Sequence, residues 1–541
     1  MNLKKIEKAF QPTADGKCAT ALNGIVATAF PDATNAGLEI LKAGGNAVDA
    51  ACAAALALSV CEPQASGIGG QTMMLIYDGT KVLAIDGSSR APSLAHVKAI
   101  YKADRSAGYR ATTVPSTLAT LGYVQRRYGK LAWPKIVEPA IRIATEGYRI
   151  THLQHNLQLR EADNFDQVES RSGKNQFFKH GFPYPVGELF RQPDLAFLLK
   201  IIAEKGVEEF YAGVIAKRID ADMREHGGLL RQDDLALIPW PIERRPLRGR
   251  FRRLTIYTMP PPGAGRTLLF SLTMINHIPP GRLNKNDVWR AHILAEVFRR
   301  ALFERADRPY DPNFYPQISA EDKLNSEYAR QCIKKIAQTI APDLPIRETQ
   351  DEYTGETTHL SVMDQNGMAV SLTQSIERVY GSKAVAEGLG FLYNNYMMDF
   401  DYVIPSHPFY LRPNAVPWAT VAPTLIFDQD KIWMALGSPG SERIISTITQ
   451  FLLNLLDMGL SAGEAMQQPR LHCSLGGRVS LEAERFPDKV IESLTDQGYR
   501  ISHREPYAFY LGAIHAVLKC HDGNGFQGVA EIRRDGTAGG Y

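Results

Sequence analysis

Apolar positions recur mostly at helical spacing through the first two thirds of this chain and alternate at strand spacing after about residue 357. A short apolar run from Gly24 to Ala29 predicts a strand. A helix follows from about Asp32, until Gly44-Gly45-Asn46 interrupts it. The alanine-rich stretch Val48 to Val60 predicts a buried helix, because small side chains let neighbouring backbones approach closely. Strands are expected over Thr72 to Tyr77 and Lys81 to Ile85, joined at Asp78-Gly79. Between about 112 and 245 helical periods dominate, as in Ala196 to Ala203 and Val214 to Glu225. Pro260-Pro261-Pro262-Gly263-Ala264-Gly265 predicts a rigid turn into a helix over Thr267 to Ile275.

Residues 285–355 read as helices followed by a polar, proline-bearing run, Asp343 to Gly355, suited to an exposed loop that is cut or moved. The pattern then turns to strands. Gly355-Glu356-Thr357-Thr358-His359-Leu360-Ser361-Val362-Met363-Asp364 opens with threonines and passes into apolar/polar alternation. Asp364-Gln365-Asn366-Gly367 marks a turn, and a second alternating run covers Met368 to Ile376. Strands over Ala422 to Phe427 and Ile432 to Leu436 precede a helix from Ser441 to Met458. A shorter helix lies near Ala462, and strand signals return at Val479 to Glu482 and Ala513 to Leu518. No sequence repeat is visible. The expected fold is an α/β or α+β sandwich of helices layered on strands.

Composition removes several classes of function. The 541 residues allow a large core, while a formal net charge of +3 with 22% charged residues argues against nucleic acid or a membrane surface as the main partner. The arginines at 244, 245, 248, 250, 252 and 253 are the exception, and a solvated edge strand or loop accounts for them. Six scattered cysteines lack metal-ligand or paired spacing, so buried thiols are expected and no metal site. The charged start Met1 to Lys8 has no apolar run behind it, and Ala47 to Val60 is too short to span a bilayer and carries Asp49. A cytoplasmic location is expected.

The candidate chemistry sits at the threonine pair. If the bond between Glu356 and Thr357 is cut, Thr357 gains a free α-amine beside its own hydroxyl, which puts nucleophile and base on one residue. Amide hydrolysis also needs an oxyanion hole and groups that orient the substrate. Gly437-Ser438-Pro439-Gly440-Ser441 ends a strand and opens a helix, so amides at Gly440 and Ser441 would meet a developing negative charge. Ser375, near the end of the second strand, would return beside Thr357. Asp399 would hold a substrate ammonium. Each has a plainer explanation taken singly: a turn former, a helix start, a surface charge. His359 is read as a hydrogen-bonded strand residue, not as the base.

Thr357-Thr358-His359-Leu360-Ser361-Val362 followed by Asp364 resembles the processing and nucleophile motif of the γ-glutamyltranspeptidase family. The likeness extends to Leu38 through Ala50, Glu62-Pro63-Gln64 through Gly70, Glu208 through Gly213 and Met259 through Pro262. It continues through Asn394-Asn395, Ala422-Pro423-Thr424, Gly437 through Gly440 and Gln468-Pro469-Arg470. The resemblance implies a four-layer αββα N-terminal-nucleophile hydrolase, self-cleaved between Glu356 and Thr357. Its large (1–356) and small (357–541) subunits would stay together as a heterodimer, with a dimer of heterodimers as a further expectation. Catalysis would pass through an acyl-enzyme on Thr357 with a small-molecule amide as substrate, and no cofactor is implied.

The chain departs from the family where the acyl group is recognised. The γ-glutamyl enzymes place an arginine on the substrate α-carboxylate, whereas Ser88 stands at that position here and Arg90 two residues later. Glu377 replaces an asparagine, Tyr396 a glutamine or glutamate, Ala419-Thr420 a serine pair and Gly440-Ser441 a glycine pair, while Asp399 is retained. Arg90, Glu377, Tyr396, Asp399 and Thr420 are therefore the expected substrate-binding set. A carboxylate at Glu377 near a substrate carboxylate is repulsive unless protonated or paired. Three readings follow: a γ-glutamyl amidohydrolase or transferase with glutathione as default substrate, an amidohydrolase for another acyl amide such as oxamate or a glutaryl amide, and an uncleaved ligand-binding protein.

Overall fold

Strands Gly355–Asp364 and Ala369–Arg378 form the expected hairpin, in register from Thr358 opposite Gln374 to Met363 opposite Ala369. Asp364 fixes its turn: one carboxylate oxygen accepts the amides of Asn366 and Met368, and the other caps the amide of Ala47. That second bond ties the hairpin to the start of the helix Ala47–Cys61, whose residues are all buried. Asn46 and Asp49 close a capping box there, which explains why the helix starts directly after Gly44-Gly45. The computed structural model describes residues 3–307, 309–313, 325–339, 342, 344, 355–521, 523 and 525–541. Most of the run expected to be a cut or moved loop, Asp343 to Gly355, lies outside the described residues.

The hairpin occupies the middle of an antiparallel seven-stranded sheet. Its order is Thr537–Gly540, Gly24–Thr28, Gly355–Asp364, Ala369–Arg378, Gln71–Tyr77, Val82–Gly87 and Ile242–Arg244. A second seven-stranded sheet runs Cys18–Ala21, Phe526–Ala530, His515–Lys519, Lys431–Gly437, Thr424–Asp428, Leu254–Thr258 and Leu247–Phe251. Both sheets take strands from each side of residue 356, so the two segments interleave in one unit.

Three apolar layers separate four structural layers. Ile25, Met73, Leu75, Met363, Leu425 and Val517 fill the space between the sheets. Val26, Met74, Leu360, Val362 and Leu372 face a helical layer that includes Ala47–Cys61. Ile256, Ile426, Met434, Leu436 and Ala516 face the other, built on the helices Gly265–Asn276, Asp287–Asp307 and Arg443–Asp457. The αββα sandwich follows from strict alternation in the strands: each sheet has one face for its partner sheet and one for helices.

Two details position the site. The inner face of the hairpin is polar from the Ser361–Ser371 pair to its Thr357 end. Ser361 and Ser371 donate to the carbonyls of His515 and Leu436 in the opposite sheet, and His359 is held between Thr373 and Ser361. His359 is thus the satisfied strand residue expected, and burial holds its imidazole well below the usual range, in the neutral form. Second, the pairing slips between Glu356 and Thr358, leaving Thr357 as a bulge on the strand.

Of the arginine cluster, Arg245, Arg248, Arg250 and Arg253 are exposed as expected, whereas Arg244 and Arg252 are largely buried and paired with Asp86 and Asp457. Ile242–Arg244 and Leu247–Phe251 are edge strands of the two sheets, where charge blocks edge-to-edge pairing. The six cysteines are free thiols; five are buried and Cys520 is half-buried. No helix among the described residues is long and apolar enough to cross a membrane.

Candidate active site

The bulge turns Thr357 toward the end of the second hairpin strand. Thr357 is buried, and its hydroxyl donates to the Ser375 hydroxyl oxygen at 3.4 Å. Ser375 in turn donates at 2.7 Å to the carbonyl oxygen of Glu356, the carbonyl of the peptide bond that Thr357 would attack. The amide of Glu377 donates to the Ser375 oxygen at 2.9 Å and fixes its rotamer. The hydroxyl of Thr357, its relay through Ser375 and the carbonyl of Glu356 are thus brought together.

The amide nitrogen of Thr357 donates to the side-chain carboxylate of Glu356 at 2.9 Å. Arg534, from the loop before the last strand, holds the same carboxylate oxygen at 2.5 Å. Behind Arg534 stands Glu62 at 3.8 Å, just past the end of the Ala47–Cys61 helix. All three are buried. Burial pushes the Glu62 carboxyl up to about 8, against the opposing pull of Arg534. Sequence reading places neither at the site: Glu62 is visible only as part of a family motif, and nothing local marks Arg534.

On the other side of the bond lies the Gly437 to Ser441 turn. The helix begins at Arg443, two residues later than expected, because Gly440 (φ 115°) and Ser441 (φ 53°) both take positive φ. The amides of Gly440 and Ser441 therefore belong to a strained turn ahead of the helix, not to its first turn. Neither amide has an acceptor among the described residues, and the Ser441 hydroxyl makes no hydrogen bond there. A methyl group added at Gly355 would approach Glu377 and Ser441 to 2.9 Å, so the uncut chain threads between these two residues. Arg443 donates to the Gly355 carbonyl at 3.3 Å.

Beyond Glu377 opens a cavity of about 310 Å³. Glu377, Asp399 and Thr420, three of the residues expected to bind substrate, line it with Arg305, Trp418 and Glu442. Glu377 lies within hydrogen-bonding reach of Asp399; burial first, and then the Asp399 charge, pushes its carboxyl well above the ordinary carboxylate range. Burial and the Asp399 charge thus favour the neutral form of Glu377, the form in which it does not repel a substrate carboxylate.

Two expected residues lie elsewhere. Arg90 is half-buried and does not line the cavity; its carbonyl accepts the amide of Val114 in an isolated bridge. Ser88 is bonded to Asp86, which pairs with Arg244 at 2.6 Å. The Ser89 amide donates to the Gln71 side chain at 2.9 Å, so the segment from Ser88 to Arg90 is held beside the start of the Gln71–Tyr77 strand. Tyr396 is buried beside Ser375, Gln71 and Glu377, and lies behind the cavity wall instead of lining it. Its hydroxyl and the Gln71 amide nitrogen make no hydrogen bond of normal geometry among the described residues.

The four-layer sandwich, with a threonine at the start of a central strand, defines the class of N-terminal-nucleophile hydrolases. Within that class, residues 33–541 match the γ-glutamyltranspeptidase family model, and the chain belongs to this family of amidohydrolases and acyltransferases. It is 31% identical to a glutathione hydrolase proenzyme of Bacillus subtilis (strain 168), over 95% of this chain and 91% of the relative. It is 32% identical to the acylase ACY 1 proenzyme of Pseudomonas sp. (strain V22), over 97% and 95% respectively. A cephalosporin acylase from Bacillus halodurans superposes with a TM-score of 0.87 at 28% identity, over 97% of each chain.

Proposed function

We propose that the chain is a precursor that cuts itself between Glu356 and Thr357, and then hydrolyses or transfers a small acyl group through an ester on Thr357. The observation that carries this reading is the 2.7 Å hydrogen bond from Ser375 to the Glu356 carbonyl, with the Thr357 hydroxyl on the same serine. As the Thr357 oxygen bonds to the Glu356 carbonyl carbon, Ser375 donates to the oxygen that gains charge. The C–N bond then breaks, the hydroxyl proton ends on the Thr357 nitrogen, and water hydrolyses the resulting ester. The freed amine of Thr357 serves as base in later turnovers, and no cofactor enters the scheme.

Withdrawal of Gly355 and Glu356 joins the cavity to the nucleophile, because Gly355 fills the gap between Glu377 and Ser441. The acyl group then lies in the cavity, and the Gly440 and Ser441 amides face the oxyanion. Recognition differs from the γ-glutamyl enzymes of the family. The cavity offers the Glu377–Asp399 pair to an ammonium and Arg305 to a carboxylate, and it leaves out Arg90. A γ-glutamyl group fits this set if Arg305 takes its α-carboxylate. A glutaryl group uses Arg305 alone, with Leu302, Met398 and Trp418 as its apolar wall.

A denaturing gel of purified protein tests the first part. Two bands are expected, corresponding to 1–356 and 357–541, and Thr357→Ala leaves one. A Thr357→Ala chain that still splits at this bond removes Thr357 as the nucleophile. Turnover of γ-glutamyl anilide, glutathione, oxamate and glutaryl amides by the cleaved protein then separates the substrate readings.

A further inference from the structure

The Ser375 relay serves the carbonyl side of the bond at 356–357, but it does nothing for the nitrogen that must leave. That nitrogen has its own partner. The Glu356 carboxylate folds back onto the Thr357 amide, N to Oε1 2.9 Å, and Arg534 grips the same oxygen at 2.5 Å. A glutamate side chain free to rotate would not hold this folded conformer, since ordering it costs rotamer entropy. Arg534 is itself fixed. Its guanidinium lies 4.1 Å over the Phe509 ring, its carbonyl accepts the Lys17 ammonium at 2.8 Å, and its side chain is only 1% exposed.

We propose that Arg534 is a positioning residue for self-cleavage, holding the Glu356 carboxylate against the leaving nitrogen of the bond that is cut. This rests on the self-cleaving reading above. In the step, the Thr357 oxygen–Glu356 carbon bond forms and the Glu356 carbon–Thr357 nitrogen bond breaks. The hydroxyl proton is delivered to the nitrogen, leaving an ester and a primary amine. The amine takes a further proton from water, and the carboxylate 2.9 Å away stabilises the ammonium as it appears. Without that anion the nitrogen leaves less readily, and re-attack on the ester competes with hydrolysis.

Glu62 completes the device by not competing for the arginine. It stands at 3.8 Å, against 2.5 Å for Glu356, and its carboxyl is held largely neutral by burial. The Arg534 charge is therefore directed to Glu356. Hydrolysis of the ester then adds the new α-carboxylate of Glu356 to the two side-chain carboxyls already facing this one arginine. That crowding favours departure of the cut end, which is the event that opens the cavity.

The test is a time course of precursor splitting for Arg534→Gln, Arg534→Lys, Glu356→Leu and the double variant Arg534→Gln/Glu356→Leu, with Thr357→Ala as reference. Arg534→Gln and Glu356→Leu are each expected to slow splitting at least tenfold. Arg534→Lys restores most of the rate, and the double variant is no slower than the worse single one, because both act through one contact. Arg534→Gln splitting at the parental rate overturns the proposal, as do fully multiplicative effects. If Arg534→Gln does not fold, Glu356→Leu decides alone, and a parental rate there overturns it. Splitting in Thr357→Ala sinks the self-cleaving reading itself. A block in Thr357→Ala with parental rates in the others sinks only the role of Arg534.

Discussion

The Ser375 hydroxyl donates a 2.7 Å hydrogen bond to the carbonyl oxygen of Glu356 while accepting one from the Thr357 hydroxyl at 3.4 Å. One side chain thus touches both the atom that attacks and the atom that gains charge. Removing a donor of this kind costs about a hundredfold to a thousandfold in rate. Ser375→Ala is expected to slow self-cleavage by that order with little change in thermal stability, and Ser375→Thr to keep most of the rate. Band intensities over time on a denaturing gel give the answer. A Ser375→Ala precursor that splits at the parental rate would remove the relay.

Gly440 at φ 115° occupies backbone space that L side chains rarely adopt, and an added methyl would lie 3.2 Å from the Gly512 Cα. Gly440→Ala should therefore cost about 1–3 kcal/mol of stability. The same change shifts the two free amides of the turn. In enzyme that has already been cleaved, kcat should fall by tenfold or more while KM moves little, because an oxyanion contact forms only in the transition state. Thermal unfolding and steady-state kinetics on one sample separate the two effects. An unchanged kcat places the oxyanion hole elsewhere.

Periodicity located the hairpin and the long helices well because burial dictates their patterns. The Val214–Glu225 helix falls where its apolar spacing puts it, and the strand at Thr357 begins two residues before it. The start of the Arg443–Asp457 helix was misplaced by two residues, since the glycine-serine turn resembles a helix cap in sequence but adopts positive φ. Ser375 was legible from the hairpin, and Glu377 from its place in the family pattern. Arg534, Glu62 and Arg305 were not. They come from other layers, and a buried arginine leaves no local periodic signal. Arg90 follows from its match to the family run at 86–92, but the bridge to Val114, the Ser88–Asp86 contact and the Ser89 amide on Gln71 hold its segment, and Arg90 does not line the cavity.

That placement separates two arginines. Arg305 lines the cavity beside Trp418 and donates to the Ala419 carbonyl at 2.6 Å, next to Thr420. Arg90→Gln is expected to leave KM for any cleaved amide within about twofold. Arg305→Gln should raise KM at least tenfold for substrates whose acyl group carries a carboxylate, γ-glutamyl, glutaryl and oxamate amides alike, corresponding to about 1.4 kcal/mol or more, and should spare acyl groups without one. The reverse pattern, with Arg90 controlling KM, would return the carboxylate site to the position suggested by sequence.

The last prediction concerns pH, and it is best measured on the Thr357→Ala precursor, which stays a single species. Burial raises the Glu62 carboxyl from 4.5 to about 8 in the folded chain. A group whose folded value lies above its unfolded one contributes stability that is fully present below the unfolded value. That contribution is lost as pH rises toward the folded one. Between about pH 4.5 and pH 8, the unfolded chain releases a proton that the folded chain keeps, so folding becomes progressively less favourable. A shift of this size corresponds to a loss of roughly 4–5 kcal/mol across the window. Glu62→Gln keeps the shape and the neutral state, so the variant should match its parent near pH 4.5 and exceed it in Tm by several degrees at pH 8. Parallel melting temperatures from pH 4.5 to 8.5 would mean that Glu62 is ionised throughout. Arg534 would then be shared between two carboxylates, and its hold on Glu356 would weaken with it.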